Sequence, residues 1–171
     1  MITSELWLRR LLSLHDAGKS CLPEQMGLDD DAWRELVRRL TWPAPRPDEK
    51  RDRRQALMSE LHEARHDERE QLAGWLRQHM AAGAGPMHLI VASASLAFNH
   101  LWQDLGLSSR TELRLLMGDC FPPLVAMNEH NMRWKKFFYR QRCLQEEGDL
   151  VCRSPTCDDC GEWSLCFAPE A

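Results

Sequence analysis

The sequence predicts an all-α fold, a single-domain helical bundle over residues 1–171 with an irregular cysteine-rich metal-binding segment near its end. Three observations predict it. Leucine dominates the apolar set, with 25 Leu against 4 Val, 2 Ile and 1 Tyr; Leu, Ala, Arg, Glu and Gln favour helices, whereas β-branched and aromatic residues favour strands. The apolar residues recur at helical spacing. Cap residues and proline breaks separate one periodic segment from the next. A chain of 171 residues is long enough for one domain with a real core.

Leu6, Leu8, Leu11, Leu12 and Leu14 mark a first helix, capped by Thr3 or Ser4 and closed near Gly18. A second opens at Asp29 or Asp30, and its Trp33, Leu36, Val37 and Leu40 form one apolar stripe. Pro43, Pro45 and Pro47 stop any helix there. From Asp48 to Met80 a charged helical stretch carries a thin stripe of Leu57, Leu61, Ala64, Leu72, Trp75 and Leu76, weakest between His66 and Gln71, where it could divide in two. Pro86 suits the first position of the next helix, Met87 to about Leu105, which is apolar nearly all round and belongs in the centre. Ser109 and Glu112 have capping-box spacing for a helix through Met117. Phe121-Pro122-Pro123 interrupts, and a final helix runs from about Leu124 to Leu144. Within the one domain, residues 1–82 are charged N-terminal helices, 87–145 core helices and 149–168 a four-cysteine loop.

The formal charge of −4 gives no general reason to expect nucleic acid or an anionic membrane as partner. The longest apolar stretch, Met87 to Phe98, is about twelve residues, short of the ~20 that cross a bilayer. Charges interrupt the first leucine run, so no secretory core is present and a cytoplasmic protein is expected. Seven cysteines in such a chain point to metal or redox chemistry rather than disulfides.

Four of them, Cys152, Cys157, Cys160 and Cys166, are separated by four, two and five residues in a polar, irregular segment. Thiolates are soft donors that select zinc, copper(I) or iron–sulfur clusters. Structural zinc usually takes two close cysteine pairs, and here there is one. A cluster offers each thiolate a different iron, and the first three cysteines share the spacing of plant-type ferredoxins. The pattern favours an iron–sulfur site over zinc, with regulatory thiols third. Cys143 is a candidate spare ligand and His100 a candidate auxiliary one, although a buried imidazole in a core helix is commonly structural. Cys21 and Cys120 read as small buried side chains.

Just before this segment, Arg133, Lys135, Lys136, Arg140 and Arg142 alternate with Trp134, Phe137, Phe138 and Tyr139, with no acid among them. The simplest reading is an aromatic core face and a solvated cationic one. A second is that Arg133, Lys135, Lys136 and Arg140 attract an oxyanion or dock an acidic partner beside the cluster. Single-stranded nucleic acid is a third, disfavoured by the net acidity. His62-Glu63-Ala64-Arg65-His66 matches the short H-E-x-x-H metalloprotease pattern, but Arg69 stands where its longer form needs glycine. A charged helical face is the better reading.

The strings Asn99-His100-Leu101-Trp102-Gln103-Asp104-Leu105-Gly106-Leu107, Phe121-Pro122-Pro123-Leu124 and Met132-Arg133-Trp134-Lys135-Lys136-Phe137-Phe138-Tyr139-Arg140, followed by the cysteine pattern and Cys166-Phe167, resemble the NifQ family of nitrogen-fixation proteins. The resemblance spans roughly residues 87–170; Ala168 stands where the family pattern has glycine. It implies a carrier, not an enzyme, that binds an iron–sulfur cluster of 4Fe–4S or 3Fe–4S type together with molybdenum. It further implies supply of molybdenum to the nitrogenase cofactor scaffold complex, with help from the nitrogenase iron protein. Molybdate or a molybdenum–sulfur species is then the cargo. The alternative is a zinc- or iron–sulfur-containing regulator that binds nucleic acid through the basic helix.

Overall fold

The structure, a computed structural model, describes residues 3–147 and 166–167, with the backbone alone for 143–147. The described residues form helices and no strand. The first, α1 (Thr3–Asp16), buries Leu8, Leu11, Leu12 and Leu14. Gly18 ends it in the left-handed region, φ 73°, where Lys19 N–H reaches back to the Leu14 carbonyl at 2.9 Å. A short 3-10 turn, Glu24–Gly27, leads to α2 (Asp30–Leu40), whose cap Asp29 accepts the Ala32 N–H at 2.7 Å.

The charged stretch is two helices, α3 (Glu49–Glu63) and α4 (His66–Gln78). Their buried stripes differ. In α4, Leu72, Trp75 and Leu76 are buried as expected, with Ala73 beside them, but in α3 the buried side chains are Arg51, Met58 and His62, while Leu57 and Leu61 stand 54% and 44% exposed. The expected α3 stripe is thus displaced by one residue. Arg51 holds that orientation by donating to the Asp16 carbonyl at 2.8 Å while its stem packs inward.

Two expected single helices are each split. The segment from Met87 becomes α5 (Met87–Ser95) and α6 (Leu101–Leu105). Residues 96–100 leave the helix because side chains there offer the backbone other partners. Asn99 N–H and Nδ2 both donate to the Asp104 carboxylate, and His100 and Gln103 form a reciprocal cap that starts α6 afresh. Gly106, φ 85°, closes α6; a Cβ there would press on the Lys19 carbonyl at 3.1 Å. After α7 (Arg110–Cys120), the expected final helix is divided into α8 (Pro122–Met127) and α9 (Trp134–Glu147). Here the Asn128 side chain accepts from Met132 N–H at 2.8 Å and donates to the Met132 carbonyl at 2.9 Å, and Asn131 takes a φ of 56°.

The helices surround one apolar cluster, in which α4 and α5 form the most extensive pair. Cys166 and Phe167 pack against its edge. Among the described residues, no helix is long and apolar enough to cross a membrane.

Candidate functional site

The cap of α6 and the first turn of α9 meet around a cavity of about 330 Å³. Arg133, Lys135, Lys136 and His100 all line it, together with Asn99 and Gln103. Four of the residues singled out from sequence, from two segments more than thirty positions apart, therefore share one wall. Arg140 is half-buried on α9 and is not among the lining residues.

α9 buries Trp134, Phe137 and Phe138, with the Trp134 and Phe137 rings 5.6 Å apart and Phe138 5.9 Å from Trp75 of α4. Aromatics used this way anchor the helix and offer no stacking platform for bases; Tyr139 alone of the run is exposed. The cations then project from the opposite side and from the first turn.

Their charges are not equivalent. Lys135 Nζ lies 2.5 Å from Asp104 Oδ2 and donates to the Ala97 carbonyl at 2.9 Å. Asp104 is fully buried, 0% exposed, and also receives both Asn99 donors. This buried pair ties α6 to α9 and neutralises Lys135, so the ammonium holds the wall in place. Lys136 is exposed at the cavity, and Arg133 is half-buried there.

His100 heads α6. Its backbone N–H donates to Gln103 Oε1 at 3.1 Å while its ring accepts the Gln103 backbone N–H. The two residues together cap the start of α6.

Cys166 is half-buried, and its carbonyl accepts the Arg133 N–H at 2.6 Å. That bond pins one of the four candidate thiolates beside the cationic wall. Cys152, Cys157 and Cys160 lie outside the described residues, and Cys143 is on α9 with its side chain outside them. The other two described cysteines are poor thiolates. Burial, helped by Asp119, pushes the Cys120 thiol up to about 12, and burial with Asp104 raises Cys21.

A second cavity, about 370 Å³, is lined by Glu24, Asp30, His62, Glu63, His66 and Arg69 among others. It contains the H-E-x-x-H string, but α3 ends at Glu63 and α4 starts at His66, so the two imidazoles do not share one helix face. Among the described residues, no group of three His, Cys, Asp or Glu side chains is placed to hold a metal ion.

Asp104, Asn99 and Gln103 are structural parts of the site that residue types alone did not single out. The signal was present: His100 and Gln103 have capping-box spacing, and Asp104 is a lone acid in an apolar segment.

A family model described as NifQ matches residues 7–168. The NifQ protein of Klebsiella pneumoniae is 59% identical over 161 residues, covering 94% of this chain and 96% of its own length. That of Azotobacter vinelandii is 40% identical over 181 residues, covering 98% and 89%. A NifQ homolog from Sinorhizobium fredii is 38% identical over 168 residues, covering 94% and 68%. No solved structure matches. With nearly its whole length matched by the family model and by these relatives, the chain belongs to the NifQ family.

Proposed function

We propose that this protein carries molybdenum on an iron–sulfur cluster held by Cys152, Cys157, Cys160 and Cys166. The coarse function comes with the family: a molybdenum donor for biosynthesis of the iron–molybdenum cofactor in nitrogen fixation, a carrier rather than an enzyme. The finer reading rests on the donor set, four soft thiolates, whose chemistry suits iron and sulfide better than a hard cation. When bound, the cluster supplies sulfide as the ligand for molybdenum. One observation supports the reading: Arg133 N–H donates to the Cys166 carbonyl at 2.6 Å, beside the cavity that Lys135 and Lys136 line. The protein then works in the cytoplasm, receives molybdate or a molybdenum–sulfur species, and passes its cargo to the nitrogenase cofactor scaffold complex with the nitrogenase iron protein. His100 and Cys143 stand by as auxiliary ligands.

Metal and sulfide analysis of protein purified without oxygen from molybdate-supplied cells tests this reading. Iron, sulfide and molybdenum are expected together, and all three should be lost from Cys157→Ser while its helical signal is unchanged. Zinc alone in the wild-type protein would overturn it.

A further inference from the structure

We propose that Asp104, Lys135 and Asn128 are positioning residues for Cys166: they fix the start of α9, and through it the point at which this cysteine docks. The bearing on metal rests on the cluster reading above; the docking itself rests on described residues alone.

The docking point is one backbone group. Phe137 N–H donates to the Arg133 carbonyl at 2.8 Å, which makes Arg133 the residue that caps α9. Its own N–H lies outside the helix ladder, and the Cys166 carbonyl takes it at 2.6 Å. A shift or rotation of this turn would therefore carry Cys166 with it or release it.

Aromatic packing alone does not fix the turn. Trp134, Phe137 and Phe138 hold α9 by apolar contact, which is non-directional. Directional contacts come from the neighbouring helices. From α6, the buried Asp104 carboxylate engages Lys135, whose ammonium also donates to the Ala97 carbonyl at 2.9 Å. At the end of α8, the buried Asn128 amide accepts Met132 N–H at 2.8 Å and donates to the Met132 carbonyl at 2.9 Å. Arg110 of α7 donates to the Asn131 and Met132 carbonyls, at 2.9 and 2.8 Å. Contacts from α6, α7 and the end of α8 thus converge on residues 131–135, on either side of Arg133.

Energetics favour positioning over stability as the use of the ion pair. Taking two charges out of water costs about what their attraction returns, so an uncharged pair of similar size commonly stabilises a fold as well. A pair that adds little stability yet fixes one register suits a turn that must hold a ligand-bearing residue in place.

Asp104→Asn/Lys135→Met removes both charges at nearly constant size and leaves no buried charge alone, so it should keep the wild-type helical signal. Asn128→Ala cuts the Met132 bracket by a separate route. In metal-free full-length protein, iodoacetamide labelling of Cys166, quantified on its own peptide, should be at least about tenfold faster in each variant than in the wild type. The α2 control Glu35→Gln/Arg38→Gln, which removes an exposed ion pair, should label at the wild-type rate. A wild-type rate in either variant that folds would overturn the proposal and leave the packing of Phe167 as what holds Cys166. Should neither fold, the wild-type protein decides. Its Arg133 N–H should exchange with water at least about tenfold slower than an unstructured amide, and free exchange would overturn the docking. Iron release to a chelator, from protein purified without oxygen, should be faster in the variants. Release at the wild-type rate despite fast labelling would overturn the role in holding metal. Wild-type protein without iron and sulfide would sink the cluster reading, while the labelling would still decide the positioning.

Discussion

Two cavities of similar size, about 330 and 370 Å³, open on this protein, and they differ in how their charges are disposed. At the α6–α9 cavity the Asp104 carboxylate is withdrawn into the protein and paired with Lys135, and among the described residues no acid stands on the wall itself. In the cavity between the 3-10 turn, α3 and α4, Glu24, Asp30 and Glu63 stand on the wall itself against His62, His66 and Arg69. Arg69 is further committed to the Gly27 carbonyl and to Glu70. Similar residue types therefore give a wall whose acid is withdrawn and paired in one place and a wall that carries its own acids in the other. What decides is where the carboxylate lies: beneath the wall or on it.

The sharpest way to break the comparison is to remove the hidden acid. Asp104→Asn leaves Lys135 without its buried partner and should destabilise the protein by about 3–5 kcal/mol. Chemical denaturation measures this, and a loss well under 1 kcal/mol would mean that the pair does not hold α6 to α9. The equivalent change on the second wall, at exposed Glu63, has no such pair to lose among the described residues.

Acid comes next. Burial, with help from Arg51 and Arg54, lowers His15 to about 4, and burial with Arg65 and Arg69 lowers His62. An unfolded histidine takes up its proton near 6.5, so these groups contribute full stability above that pH and lose it as pH falls toward their folded values. His15 alone should cost about 3 kcal/mol between pH 6.5 and 4. Denaturation midpoints across that window check it, and a flat profile would contradict the burial of His15.

The smallest effect is expected at His62, 8% exposed with neither ring nitrogen hydrogen-bonded among the described residues. His62→Leu removes that unpaired polarity and should be neutral or stabilising by up to about 1 kcal/mol. It should also flatten the upper part of the pH profile. A large loss of stability would show that the imidazole has a partner it cannot spare.

Much of this arrangement was legible in residue order. The leucine-rich composition predicts helices, Gly18 and Gly106 end two of them, and Asp29 and Ser109 start two others through caps at 2.7 and 3.1 Å. The basic, aromatic run was readable as a buried ring face with cations on the other side. The splits at Leu96–His100 and Asn128–Arg133 were harder to read, because periodicity continues through them. There Asn99, Asn128 and the His100–Gln103 cap outbid the helix for backbone partners. The displaced stripe of α3 depends on Arg51 reaching the distant Asp16 carbonyl, which local spacing does not report.

By itself the sequence determined what is local and chemical: the helical class, most caps and breaks, the four-thiolate pattern and the family to which it belongs. Spacing along the chain is enough for these, since a cap or a ligand pattern acts within a few residues. Only the tertiary structure decided that His100 and Lys136 share a wall, that Asp104 neutralises Lys135 across 31 positions, and that Cys166 docks on Arg133. Those pairings are set by which helices pack together, and the net charge of the cavity follows from them.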